Sequence, residues 1–224
     1  MVIKVKKIIT GFVVISLWTY ELCAQGYSGL STDEINTLSF KLSSPTDISV
    51  ELRKQPIYRN IQSKIRAYRQ RAWKKKYSLP LGATHTFYAR NILSLSNWDS
   101  VTAVCKYKSD NIAIWISEDA VPILEAVHNI EDMLAELTAT IEYESNPFSE
   151  NPSIGIYDRN IEYFGNPPNI DGDGILDILL YDIQDNFEST GSFVAGFFDP
   201  VDLIDHPNSN QRDILYIDIY PTLV

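Results

Sequence analysis

The sequence is poor in cysteine, in histidine and, over its second half, in basic residues. Its two cysteines are Cys23 and Cys105. Loss of an N-terminal export signal would remove the first, so we expect no intramolecular disulfide in the mature chain. The three histidines, His85, His128 and His206, lie far apart, so the chain contains no His-Glu-x-x-His zinc motif. It also has no Gly-x-Ser-x-Gly nucleophile elbow. We therefore predict no catalytic residue.

Residues 1–24 are typical of a secretory signal peptide. Three lysines within the first seven residues form a basic head, and an apolar stretch of 13 residues follows from Ile8 to Tyr20. This stretch is too short to span a bilayer comfortably. Cleavage near Ala24 would leave 200 residues, and the net charge would change from −10 to −12 because three lysines and one glutamate are lost. We expect a secreted or periplasmic protein with no stable membrane anchor.

Basic residues are concentrated in one segment. Ten of the 19 Lys and Arg lie between Arg53 and Lys76, whereas residues 111–224 contain only Arg159 and Arg212 against 22 Asp and Glu. The stretch IYRNIQSKIRAYRQRAWKKKY has apolar residues near helical spacing, which predicts a basic amphipathic helix within a polar leader over residues 25–80. Such a helix could bind nucleic acid or an anionic membrane. Docking on the acidic C-terminal half of the same chain, or a simple solvated face, is favoured, because no aromatic-rich nucleic-acid module accompanies the helix. No nucleic-acid partner is predicted.

Residues 81–224 read as one α+β domain. HTFYARNI, VTAVCKYK and NIAIWIS are short strand-like runs, and the last two flank KSDN as an antiparallel hairpin. SEDAVPILEAVHNIEDMLAELTATIEY predicts one long amphipathic helix, capped by Ser117 or Asp119 with Pro122 in its first turn. SIGIYD, ILDILLYDI, GSFVAGFFDP and DILYIDIY predict further strands. The expected architecture is a basic N-terminal helix, antiparallel strands, one long helix and a mostly β C-terminal half.

The stretch NIDGDGILD has the spacing of a cation-binding loop. Asn169, Asp171, Asp173 and Asp177 stand at positions 1, 3, 5 and 9, and position 7 is Ile175, which offers its backbone carbonyl. A glycine occupies position 6, where the loop turns sharply. Oxygen ligands at this spacing favour calcium over zinc, which prefers nitrogen and sulfur. A strand follows instead of a helix, so the loop resembles those of integrin-type propeller repeats. We predict a structural calcium site; the alternative is a tight Asp/Gly turn without an ion.

The last 60 residues or so resemble the hyicolysin family of secreted zinc metallopeptidases. DGDGILDILLYDIQDNF, GSFVAGFFDPVDL and SNQRDILYIDIYP occur in the order found in that family, and the hairpin and helix upstream agree more weakly. The matching positions are Tyr181, Asp182, Ile183, Gly196, Phe197, Phe198, Asp202, Leu203, Ser209, Asn210, Leu215, Tyr216, Ile217, Asp218, Tyr220 and Pro221.

The resemblance implies a zinc peptidase, but its catalytic motif has no counterpart in this chain. In that family a His-Glu-x-x-His helix follows the last of these strands, supplying two zinc ligands and a general base. We therefore expect the chain to be the non-catalytic N-terminal portion of a metallopeptidase-like protein. Zinc and a peptide or protein substrate are expected only in a full-length parent. The alternative is a free-standing, calcium-stabilised extracellular binding or adhesion module.

Overall fold

The computed structural model describes residues 54–58, 61, 63–65, 78–145, 147 and 151–224. The predicted signal peptide lies outside them, as does most of the polar leader with its basic helix. The described part of the leader contains a 3₁₀ turn over Pro56–Tyr58 and helical residues at positions 61 and 63–65. No helix of the described residues is both long enough and apolar enough to cross a membrane.

The apolar runs form a curled six-stranded sheet. Its strands are β1 (Thr84–Arg90), β2 (Trp98–Lys108), β3 (Ile112–Ser117), β4 (Leu176–Tyr181), β5 (Gly196–Phe197) and β6 (Ile214–Asp218). They lie in the order β1-β2-β3-β4-β6-β5. The predicted hairpin around KSDN is confirmed, because β2 and β3 pair in antiparallel fashion across this turn.

The centre of the sheet is parallel, which the sequence analysis did not predict. β4 lies parallel to both β3 and β6, whereas β1 with β2 and β5 with β6 are antiparallel. The long helical connection between β3 and β4 returns the chain to the same end of the sheet, as a parallel pair requires. Every residue of β3 is buried. Helices cover one face of the sheet, and the curl of the sheet shields the other face from solvent.

The helices are shorter and more numerous than predicted. They are α1 (Ala120–Glu125), α2 (Ile130–Thr138), α3 (Ile156–Phe164) and α4 (Phe187–Thr190), with a π-helical turn over Ala139–Tyr143 and a 3₁₀ turn over Pro200–Leu203. The prediction of one long helix is wrong: Asn129 adopts an extended conformation and its side chain accepts hydrogen bonds from Glu131 N and Asp132 N, starting a new helix.

Two further predictions are corrected in the C-terminal half. SIGIYD (residues 153–158) is not a strand: its first three residues precede α3 and its last three form the first turn of that helix. Gly155 precedes this helix and lies so close to the π-helical turn that an added Cβ would stand 2.3 Å from Ile141 O. The half that was predicted to be mostly β therefore also contains α3 and α4.

The core has two parts, one on each face of the sheet. On the first face, α1, α2 and the π-helical turn cover aliphatic side chains of β3, β4 and β6. On the second face the curl of the sheet brings aromatic side chains together. Phe87 and Trp115 meet edge to face at 5.1 Å, and Phe197 stacks on Tyr216 at 4.6 Å. This second, concave face also holds the buried polar groups described below.

Candidate calcium loop

The predicted calcium loop lies between α3 and β4 and closes on itself through its own side chains. Asn169 has φ of 52°, and Gly172 and Gly174 both have φ of 79°, a left-handed region in which glycine meets no steric penalty. Asn169 Oδ1 accepts a hydrogen bond from Gly174 N at 2.9 Å, and Asp173 Oδ1 accepts one from Ile175 N at 2.9 Å. The acidic side chains are therefore held on a tight turn.

The loop is attached to the sheet through Ile170 and Asp213. The Ile170 side chain is 1% exposed, and its N–H donates to Asp213 Oδ2 at 2.7 Å. Asp213 O in turn accepts from Asp177 N at 2.8 Å. Because Asp213 directly precedes β6, these bonds fix the loop to the amino ends of two adjacent parallel strands.

Asp171 and Asp173 are the two carboxylates that the loop brings together. Asp171 is 4% exposed, and the pKa of its carboxyl is raised to about 7, first by burial and then by the charge of Asp173. Two carboxylates this close repel each other when both are ionised. Either a bound proton or a cation would reduce that repulsion.

Asp177, the predicted ligand at position 9, is engaged elsewhere. Its Oδ1 accepts from Trp115 Nε1 at 2.7 Å, and its Oδ2 accepts from Arg212 Nη1 at 2.9 Å, both within the concave core. Burial raises the pKa of Asp177, and the Arg212 charge opposes that rise. Across the described residues, no three His, Cys, Asp or Glu side chains form a group that could hold a metal ion.

The three histidines lie in separate surroundings. His85 contacts Phe87 edge to face at 4.7 Å, and the ring nitrogen Nε2 of His128 hydrogen-bonds to Leu223 O. His206 packs on Trp98 at 5.1 Å. Burial and the nearby Arg90 charge lower the pKa of His206. Each histidine therefore has its own packing or hydrogen-bonding partner.

Several residues of the C-terminal sequence motifs form a buried network instead of an open site. Asp202 is 2% exposed and accepts hydrogen bonds from Tyr216 Oη at 2.6 Å and Asn210 Nδ2 at 3.0 Å. Asn210 also pairs with the outer edge of β1, since Tyr88 N donates to its Oδ1 and its Nδ2 donates to Tyr88 O, each at 2.9 Å. Burial raises the pKa of Asp202 to about 7. The sequence motifs revealed these residues but not their role in holding β1 and β6 together.

An apolar groove of about 390 Å³ runs beside α3. Its walls include Ile141, Ile156, Phe164, Leu176, Phe198 and Leu223. Phe164 is 80% exposed and Phe198 is 38% exposed. Exposed aromatic side chains at the rim of a groove are typical of a binding surface.

The comparisons relate the chain to a metalloprotease. No protein-family model matches the sequence. Over 143 residues the chain is 29% identical to the neutral metalloprotease ShpI of Staphylococcus hyicus. The match covers 64% of this chain and 28% of that relative, so the chain spans less than a third of the relative's length. By this similarity the chain is a metallopeptidase-related protein.

Proposed function

We propose that this chain forms the non-catalytic scaffold of a secreted zinc metallopeptidase of the hyicolysin type, stabilised by calcium at the loop over residues 169–177. The similarity to a metalloprotease is the observation that supports the peptidase relationship. Secretion follows from the signal-peptide character of residues 1–24. In a full-length parent, residues outside this chain would bind zinc. Peptides or proteins would be its substrates.

Calcium would be held by Asn169, Asp171, Asp173 and the carbonyl of Ile175. The raised pKa of Asp171 supports this assignment, because a buried carboxylate beside a second carboxylate is costly unless a proton or a cation neutralises it. Asp177 is the fifth proposed ligand. Its oxygens accept hydrogen bonds from Trp115 and Arg212 in the core, so binding through Asp177 would require its carboxylate to turn from these partners toward the loop.

A calcium titration tests the loop. The purified chain should melt at a higher temperature in millimolar calcium, because an ion that binds only the folded state stabilises it. Asp171→Ala combined with Asp173→Ala should abolish the shift. Asp158→Ala combined with Glu162→Ala, on the surface of α3, is the matched control, and it should retain the shift. An unchanged melting temperature of the wild-type chain in calcium would refute the site.

A proteolysis assay tests the absence of catalysis. The 224-residue chain should leave casein intact in the presence of zinc, because its sequence contains no His-Glu-x-x-His motif. Zinc-dependent cleavage that a chelator stops would overturn this proposal, provided that a mock purification from the same host shows none.

The apolar groove beside α3 favours a second candidate function, a free-standing extracellular binding module. The two candidate functions predict different mature polypeptides, one with a His-Glu-x-x-His motif and one without it. Mass spectrometry of the native protein should find His-Glu-x-x-His peptides in the same polypeptide if it is a peptidase. A mature product with the mass of residues 25–224 alone would favour the binding module.

A further inference from the structure

The described N-terminal residues 54–58, 61 and 63–65, here called the N-terminal strap, lie against two neighbouring parts of the domain. The first contact is made by Tyr58, which is 8% exposed. Its hydroxyl donates to Asp199 Oδ1 and accepts from Arg90 Nη2 at 3.0 Å. Arg90 and Asp199 form a buried ion pair at 2.9 Å. One end of the strap is thus fixed by a hydroxyl group inserted at a buried charge pair.

This first contact is also well packed. The Arg90 guanidinium lies 3.7 Å from the centre of the Trp98 ring, an arrangement that stabilises the cation. Ile57 and Tyr58 lie in a cluster with Trp98 and the fully buried Val201. Burying the Tyr58 hydroxyl raises its pKa, so it stays a neutral donor and acceptor.

The second contact joins the strap to the proposed calcium loop. Ile65 is 8% exposed and packs in one cluster with Ile170, Leu203 and Ile204. Ile61 lies between this cluster and the one around Tyr58. Ile170 is the loop residue between Asn169 and Asp171. The strap therefore shares a buried apolar cluster with the side chain that separates two of the proposed calcium ligands.

We infer that docking of the N-terminal strap and calcium binding by the loop are coupled through the apolar cluster that Ile65 and Ile170 share. This inference rests on the proposed calcium function. Removing the Ile65 side chain would weaken the packing of the cluster around Ile170 and leave the loop less ordered. Part of the free energy of calcium binding would then be spent on ordering the loop. Coupling is reciprocal: calcium must stabilise the docked strap by the same factor by which the strap strengthens calcium binding.

Isothermal titration of the full chain with calcium chloride tests the coupling. Ile65→Ala should weaken calcium binding by about 5-fold or more, the lower end of common coupling between sites. Ile57→Ala, in the same strap but packed around Tyr58, is the matched control and should change the affinity by less than about 2-fold. Circular dichroism without calcium establishes that each variant is folded.

The outcomes separate the coupling from the site itself. If the wild-type chain binds calcium and Ile65→Ala binds equally well, the coupling is wrong and the calcium site stands. Equal weakening by both substitutions also overturns the coupling, because it would not be specific to the cluster that Ile65 and Ile170 share. If the wild-type chain binds no calcium, both the site and the coupling are wrong. Amide hydrogen exchange gives a second readout: calcium should slow exchange at residues 54–65 in the wild type, and should not do so in Ile65→Ala.

Discussion

The Asp218 carboxyl group should make the stability of the domain depend on pH. Asp218 is at the end of β6 and is fully buried. Its Oδ1 accepts from Ile183 N at 2.9 Å and from Tyr220 N at 3.3 Å, but its Oδ2 has no hydrogen-bond partner among the described residues. Burial and the charges of Asp185 and Asp182 together raise the pKa of this carboxyl from 3.8 to about 8, although the two backbone hydrogen bonds oppose that rise.

The direction of the effect follows from where the proton is held. Between the two pKa values the folded chain keeps the Asp218 proton while the unfolded chain has released it, so raising the pH favours unfolding. The free energy of unfolding should fall by about 1.4 kcal/mol for each pH unit in this window. This contribution to stability is complete below the unfolded pKa and is lost as the pH rises to the folded pKa of about 8.

Asp218→Asn isolates this contribution. The asparagine can keep both hydrogen bonds to Oδ1 and carries no titrating proton. From about pH 5 to about pH 7, the unfolding free energy of the variant should rise relative to wild type by about 3 kcal/mol. Urea denaturation of both proteins at each pH measures the difference in their unfolding free energies. The contributions of the other titrating groups are common to both proteins and cancel in this difference. Asp132→Asn, at the exposed surface of α2, is the control for removing one negative charge from the chain. A difference between Asp218→Asn and wild type that is constant with pH would refute the reasoning.

Three substitutions test other contacts by urea denaturation. Tyr58→Phe removes the hydroxyl that donates to Asp199 and should cost about 1–3 kcal/mol of unfolding free energy; an unchanged value would show that the strap is not docked there. Gly155→Ala places a methyl group 2.3 Å from Ile141 O and should cost at least about 1–3 kcal/mol, so a neutral result would contradict the close approach. Asn129→Ala removes the cap of α2 and should cost about 1 kcal/mol of unfolding free energy. An unchanged value would contradict the break between α1 and α2.

Local patterns in the sequence predicted strands well but not how they pair. The hairpin of β2 and β3 was predictable because one short turn joins two strand-like runs. The parallel pairing of β4 with β3 and β6 depends on contacts between residues far apart in the sequence, which a local pattern does not record. The helix after β3 was predicted as one segment because its apolar period continues across residues 126–129. The capping by Asn129 overrides that period.

The candidate site shows the same limit. The spacing of Asn169, Asp171 and Asp173 indicates a turn with converging oxygen atoms, and the structure brings these residues onto one tight loop. The same spacing also includes Asp177, whose side chain instead faces Arg212 in the concave core. The partner that decides its role lies 35 residues away along the chain. Spacing alone therefore identified the loop but not the orientation of its last acidic residue.

The pairing of Asn210 with the edge of β1 has a consequence for how the protein avoids self-association. β1 is an outer strand of the sheet, and an open edge of this kind can recruit a strand from another molecule. The Asn210 side-chain amide occupies both backbone groups of Tyr88, as the backbone of a neighbouring strand would do. Together with Tyr216 Oη, which also donates to Tyr88 O at 3.1 Å, this side chain blocks the middle of the edge, and losing it would open part of a template for intermolecular β-sheet growth.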